Sequence, residues 1–166
     1  MNLYCGIDPG KTGAIAFIWE DRSLRGVWDM PTEPVGKSRV QVSPEGLDEL
    51  FNYMEQGARL CTVVERQSSR PGQGVSSVFS IGDSFGAVRA ISYVYSHLAA
   101  EVTPRTWQKK INRPSTGDSK ADSLKMAREL FPAYDGLTRK KDHNRADALL
   151  IAVYARIMFR NGGNGK

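Results

Sequence analysis

Cysteine is nearly absent from this chain. Cys5 and Cys61 are the only two in 166 residues, and only two histidines accompany them. No Cys/His spacing of the zinc-binding kind exists. Each cysteine lies inside an apolar, strand-like run, so both read as buried free thiols rather than a disulfide. Long hydrophobic runs are also missing. No apolar stretch approaches the roughly 18 residues of a membrane span, and the N-terminus has no basic-then-apolar leader. A cytoplasmic protein without membrane contact is expected. Acidic charge is the smaller share: 18 Asp and Glu face 23 Lys and Arg, giving a formal net charge of +5. That balance favours a polyanionic partner, nucleic acid first.

What is present is a set of acids at telling places. Asp8 ends the run Leu3-Tyr4-Cys5-Gly6-Ile7-Asp8, and Glu65 ends Cys61-Thr62-Val63-Val64-Glu65. Asp142 and Asp147 bracket the opening of an apolar, helix-like segment. An acid closing a buried strand is costly unless it is paired or binds a cation. Acids converging from separate elements make an oxygen cage suited to Mg²⁺ or Mn²⁺. In a basic protein this points to metal-assisted cutting of a phosphodiester.

Periodicity and turn residues predict strands over Leu3–Asp8, Ala14–Glu20, Leu24–Met30, Thr62–Glu65 and Ala100–Thr103. Helices are predicted over Pro44–Gln56, Val75–His97, Pro104–Ile111, Lys120–Phe131 and about Asn144–Arg160. Pro31–Val42 reads as a polar loop. The expected fold class is α/β: a five-stranded mixed sheet, with an antiparallel three-stranded start and then two parallel strands, flanked by helices. One domain is expected over residues 1–160, followed by a flexible tail over 161–166. Gly6-Ile7-Asp8-Pro9-Gly10-Lys11-Thr12 imitates a phosphate-binding P-loop, but Cys5 stands where the first glycine must be, and a strand follows instead of a helix. No nucleotide cofactor is expected.

Three segments occur in order: Gly6-Ile7-Asp8-Pro9-Gly10, Val63-Val64-Glu65, and Arg145-Ala146-Asp147-Ala148-Leu149-Leu150-Ile151-Ala152. Together they resemble the RuvC family of Holliday-junction resolvases. The pattern is most similar to the bacteriophage RuvC-like type, which also carries a segment like Pro71-Gly72-Gln73-Gly74-Val75-Ser76-Ser77-Val78-Phe79. The resemblance spans about residues 3–160. It implies an RNase H-like fold and a homodimer. It also implies a crossover-junction endodeoxyribonuclease that uses two Mg²⁺ ions per site (Mn²⁺ as the alternative) to nick branched DNA symmetrically. If phage-encoded, the protein would work in the host cytoplasm.

By motif position, Asp8, Glu65 and Asp147 would be catalytic metal ligands. The fourth ligand is open. Family members commonly place Asp or His three residues before the last acid, where this chain has Asn144. Some relatives use the residue five before, which is Asp142. Helical geometry puts His143 and Asn144 near the face of Asp147 and Asp142 about 140° away, although a residue at the non-helical cap can still reach in. Asp142 is the expected ligand, with His143 and Asn144 as alternatives and an ordinary helix cap as the bland reading.

Two further departures matter. Relatives carry a junction-wedging aromatic three residues beyond the glutamate, where this chain has Ser68. Phage relatives place lysine after the tryptophan of Val102-Thr103-Pro104-Arg105-Thr106-Trp107, where this chain has Gln108. Lys109 or Lys110 would then support transition-state charge. Lys11, Lys37, Arg39, Arg66, Gln67, Arg70, Arg105, Lys109, Lys110, Lys140 and Lys141 are the candidate DNA contacts, alongside Arg113, Lys120 and Arg139.

Gly82, Gly86 and Ala90 make a small-residue stripe on the Val75–His97 helix, a candidate dimer seam. Two alternatives stand beside the resolvase. One is a nuclease of the same fold acting on flaps, forks or hybrids. The other is a junction-binding protein without catalysis.

Overall fold

The computed structural model describes residues 1–69 and 71–162, so Arg70 and residues 163–166 lie outside the described residues. The elements are β1 (Asn2–Asp8), β2 (Ala14–Trp19), β3 (Leu24–Asp29), β4 (Thr32–Val35), β5 (Arg39–Val42), α1 (Pro44–Glu55), β6 (Arg59–Glu65), α2 (Val75–Tyr95), β7 (Leu98–Val102), α3 (Pro104–Lys110), α4 (Ser119–Leu130) and α5 (His143–Gly162). A single 3₁₀ turn, Lys140–Asp142, leads into α5. Helix α5 thus runs two residues past the expected start of the tail.

The main sheet has the order β3-β2-β1-β6-β7. β1 pairs antiparallel with β2, as β2 does with β3, whereas β1–β6 and β6–β7 are parallel. This is the expected five-stranded mixed sheet. The difference lies in Pro31–Val42, which forms a separate two-stranded ribbon, β4–β5, in place of a loop. Gly36 turns the chain at φ +64°, and Pro34 sits opposite Val40. A proline survives there because a two-stranded ribbon leaves donor positions free on its outer edges.

Alternation along the strands divides the core in two. Leu3, Cys5, Ile7, Leu60 and Val64 face α1 and α2, packing with Leu47, Phe51 and Val88. Tyr4, Cys61 and Val63 face the other way, toward α3, α4 and α5, with Trp107, Leu124, Leu149 and Ala152. Both cysteines are free and buried. Gly6 shares the α5 face. A Cβ there would meet Ala152 N at 2.1 Å and Ala148 O at 2.3 Å. Glycine therefore lets the α5 backbone lie directly on β1, and Ala148, Ala152 and Ala155 keep the helix face flat enough to match. Among the described residues, no helix is long and apolar enough to cross a membrane.

Candidate active site

Strand parity and close helix packing together build the site. Ile7 pairs with Val64, so Asp8 and Glu65 end neighbouring parallel strands side by side. Each lies two residues beyond a residue on the α5 face, so each points to that face. Asp147 precedes Ala148, one of the residues that α5 presses onto Gly6. The turn after β1 supports the arrangement. Gly10 takes φ +115°, and a Cβ on Gly13 would lie 2.0 Å from the Asp8 carbonyl oxygen.

The electrostatics are those of gathered like charge. Burial, then Glu65 and Asp147, hold the Asp8 carboxyl well above its ordinary range. Burial also raises Glu65, with Asp147 adding to it, while a hydrogen bond from Trp107 and the charge of Arg113 oppose the rise. Asp147 is raised by burial as well. The Ser123 hydroxyl, Arg113, His143 and Lys120 pull it back. Three acids that favour each other's protonation form a set a divalent cation would neutralise. Carboxylate oxygens are the donors such an ion prefers, but among the described residues no group of three or more His, Cys, Asp or Glu side chains is placed to hold one.

Asp142, the expected fourth ligand, is not among the groups whose charge acts on these three carboxyls. Its side chain is buried, and both oxygens are engaged by Arg139. Arg139 N donates to Oδ2 at 2.7 Å, Nη2 to Oδ1 at 2.7 Å and Nε to Oδ1 at 3.0 Å. These bonds hold the Asp142 carboxyl below its usual range. Next to it, Arg145 grips Asp29 with Nε and Nη2, at 2.6 and 2.5 Å. Asp142 thus closes the turn that starts α5. Of the three candidates, His143 is the one whose charge acts on Asp147, one helical turn ahead of it. The Asn144 amide donates to the Thr12 carbonyl, tying α5 to the turn after β1.

Lys109 and Lys110 are exposed at the end of α3, and Lys109 shares one pocket with Arg113. They line a groove between α3 and α5 with Arg105, Tyr154, Ile157 and Met158. The cations acting on the acids are Arg113, from the loop after α3, and Lys120, from the first turn of α4. Arg113 Nη1 donates to the Ser119 carbonyl at 2.6 Å and to Ser123 Oγ at 3.3 Å. Its Nε is buried without a hydrogen-bond partner. Asp122 orders the intervening loop by accepting from Thr116 N and Oγ1 at 2.9 and 2.7 Å. Sequence reading placed Arg113 and Lys120 only among the general basic residues and gave Ser123 no role. The one available signal was Asp118-Ser119, a helix start that puts Lys120 in a first turn.

No family model matches the sequence, and no curated protein matches it. Solved structures do. A structure of Thermus thermophilus RuvC matches with a TM-score of 0.57 at 17% identity, covering 96% of this chain and 96% of that one. The same species' RuvC in complex with a Holliday junction substrate matches with a TM-score of 0.59 at 16% identity, covering 98% and 97%. The chain has the RuvC fold.

On this RuvC fold the remaining basic residues sort by neighbourhood. A cleft of about 570 Å³ at the start of α5 is lined by Lys11, Lys120, Arg139, Lys141, His143 and Asn144, with the acids Asp29 and Asp142. Lys11 also borders a second cleft, of about 640 Å³, that runs past Arg39 on β5 to the start of α2. Lys37 is exposed at the tip of the ribbon, and Lys140 in the 3₁₀ turn. Arg66 is exposed beyond Glu65 and pairs with Glu101 at 3.4 Å, and Gln67 follows, half-buried. Arg105 lies on α3, away from the 570 Å³ cleft.

Proposed function

We propose that this protein is a divalent-metal-dependent endonuclease that cuts branched DNA, with the four-way junction as its substrate. The observation that carries the reading is the convergence of Asp8, Glu65 and Asp147, from β1, β6 and α5, in a fold that matches RuvC along the whole chain. Asp8, Glu65 and Asp147 would hold Mg²⁺, with His143, whose charge acts on Asp147, as a further donor. A pair of bound ions supplies an activated water and stabilisation of the leaving 3′-oxygen. The chain's own contribution is separate. Arg113 and Lys120 place positive charge where the phosphoryl group gains negative charge. The Ser123 hydroxyl orients Asp147. Lys11, Arg139 and Lys141 line a path that fits a phosphate backbone.

A four-way junction has near two-fold symmetry, and paired nicks call for two sites related by a C₂ axis. What supports a homodimer is the outer face of α2. Val75, Phe79, Tyr93 and Val94 are exposed, and nothing lies within 4 Å of a Cβ placed on Gly82 or Gly86. The small-residue stripe is therefore free to meet a second copy. Such an enzyme works in the cytoplasm, beside the DNA it cuts; a bacteriophage origin fits the sequence pattern.

The test is cleavage of an end-labelled four-way junction beside duplex, flap, fork and hybrid controls, in Mg²⁺ and in EDTA, by wild type and Asp8→Asn. Symmetric nicks on the junction alone, requiring both metal and Asp8, are expected. Junction binding without nicks in Mg²⁺ or Mn²⁺ would sink the enzymatic reading and leave a binding module.

A further inference from the structure

Trp107 is fully buried, yet its polar atom is not idle. The indole Nε1–H donates to Glu65 Oε1 at 2.7 Å. The ring is held from both ends. Behind it, β7 ends at Val102, whose carbonyl accepts from Arg66 N at 2.7 Å, so α3 begins beside the end of β6. Thr103 caps α3 by accepting from Thr106 N, and Pro104 opens the first turn. The ring itself belongs to the core cluster that includes Val63 of β6, Leu124 of α4 and Leu149 of α5. The indole therefore has little freedom, and neither does its hydrogen bond.

The chemistry of that bond is specific. Indole nitrogen can only donate, so it favours an ionised acceptor over a protonated one. Glutamate is longer than aspartate and reaches the site through one more torsion. A fixed donor on Oε1 removes that freedom in a carboxylate whose charge is coupled to Asp8 and Asp147. We propose that Trp107 is a positioning residue, which presents the Glu65 carboxylate to a divalent cation through its indole N–H. This deepens the metal-site reading above and rests on it. Outer partners of this kind change metal affinity by about 10–100-fold when lost.

The experiment measures Mn²⁺ binding to the DNA-free protein from the EPR signal of free Mn²⁺. Trp107→Phe keeps an aromatic ring and removes the donor. Benzothienylalanine at position 107 keeps the ring's full volume and replaces only the N–H, so it carries the same test if the Phe variant does not fold. Both should weaken Mn²⁺ binding by about 10-fold or more. In a Glu65→Gln background the same changes should cost under about 2-fold, because the effect passes through Glu65. Unchanged affinity in a folded donor-free protein would overturn the inference, as would an equal loss in both backgrounds. Either result leaves the metal site itself intact if Asp8→Asn still abolishes binding. Wild-type Mn²⁺ binding that is absent, or indifferent to Asp8→Asn, would instead reject the metal-site reading and this inference with it.

Discussion

Two carboxylate neighbourhoods meet at the start of α5, and they have opposite electrostatic character. Asp142 and Asp29 are each gripped by an arginine, and both titrate below the ordinary range. Asp8, Glu65 and Asp147, one helical turn away, are buried against one another and titrate above it. The first neighbourhood is satisfied and holds the backbone. In the second, burial outweighs the pull of Arg113, His143 and Lys120, and the carboxyls stay raised.

The sharpest way to break this comparison is to neutralise one acid from each side. Asp147→Asn should reduce junction cleavage by about 10³-fold or more, since transition-state electrostatics supply effects of that order. Asp142→Asn should leave cleavage within about 3-fold once the protein is folded, because its role is to cap a turn. Equal losses, read as single-turnover rates at saturating Mg²⁺, would dissolve the distinction.

A smaller effect separates the cations. Arg113→Ala and Lys120→Ala should each slow single-turnover cleavage by about 10²-fold. Lys110→Ala, in the groove away from the acids, should change it by less than about 5-fold and act through binding. Reversal of that ranking would return the catalytic role to the helix α3 lysines.

The smallest effect is in stability, and its sign differs between the two sites. The folded pKa values of the cluster are raised, so the folded state holds more protons than the unfolded one. Metal-free stability should then fall as pH rises from about 4 toward neutrality. Asp8→Asn should relieve this and raise neutral-pH stability in EDTA by at least about 1 kcal/mol. The folded pKa of Asp142 is lowered, so its contribution is present above about pH 4 and disappears as pH falls through its folded pKa. Asp142→Ala should cost about 1 kcal/mol at neutral pH. Denaturant titrations of the three proteins at pH 4.5 and 7.5 would show both signs.

Much of the arrangement was legible because it follows from period and parity. Leu3–Asp8 and Thr62–Glu65 are apolar runs that end in acid, and parallel pairing of the two strands places both acids at the same end of the sheet. Where the chain left regular structure, legibility failed. The ribbon β4–β5 was hidden by Pro34 and Gly36, which read as a loop unless the pairing of Thr32 with Val42 is known. Asp142 has a ligand's spacing, and only the position of Arg139 shows that its oxygens are occupied. Lys109 and Lys110 follow Trp107 by two and three residues and are exposed, while the loop 111–118 carries Arg113 back. Composition could not reveal that path, because it depends on a capped helix start and on Asp122 holding Thr116.

Gly6 has a mechanical consequence. Where α5 crosses β1, main chain rests on main chain, with no side chain between them to bend or repack. Asp8 and Asp147 are thus mounted on one rigid jaw, two residues and one residue from the point of contact. Their spacing is fixed by covalent geometry and the thickness of a polypeptide backbone. Glu65 belongs to the neighbouring strand and is trimmed separately, by the indole behind it. In the proposed metal site, adjustment to an ion of different radius falls to Glu65, the acid mounted off that jaw and bonded to Trp107.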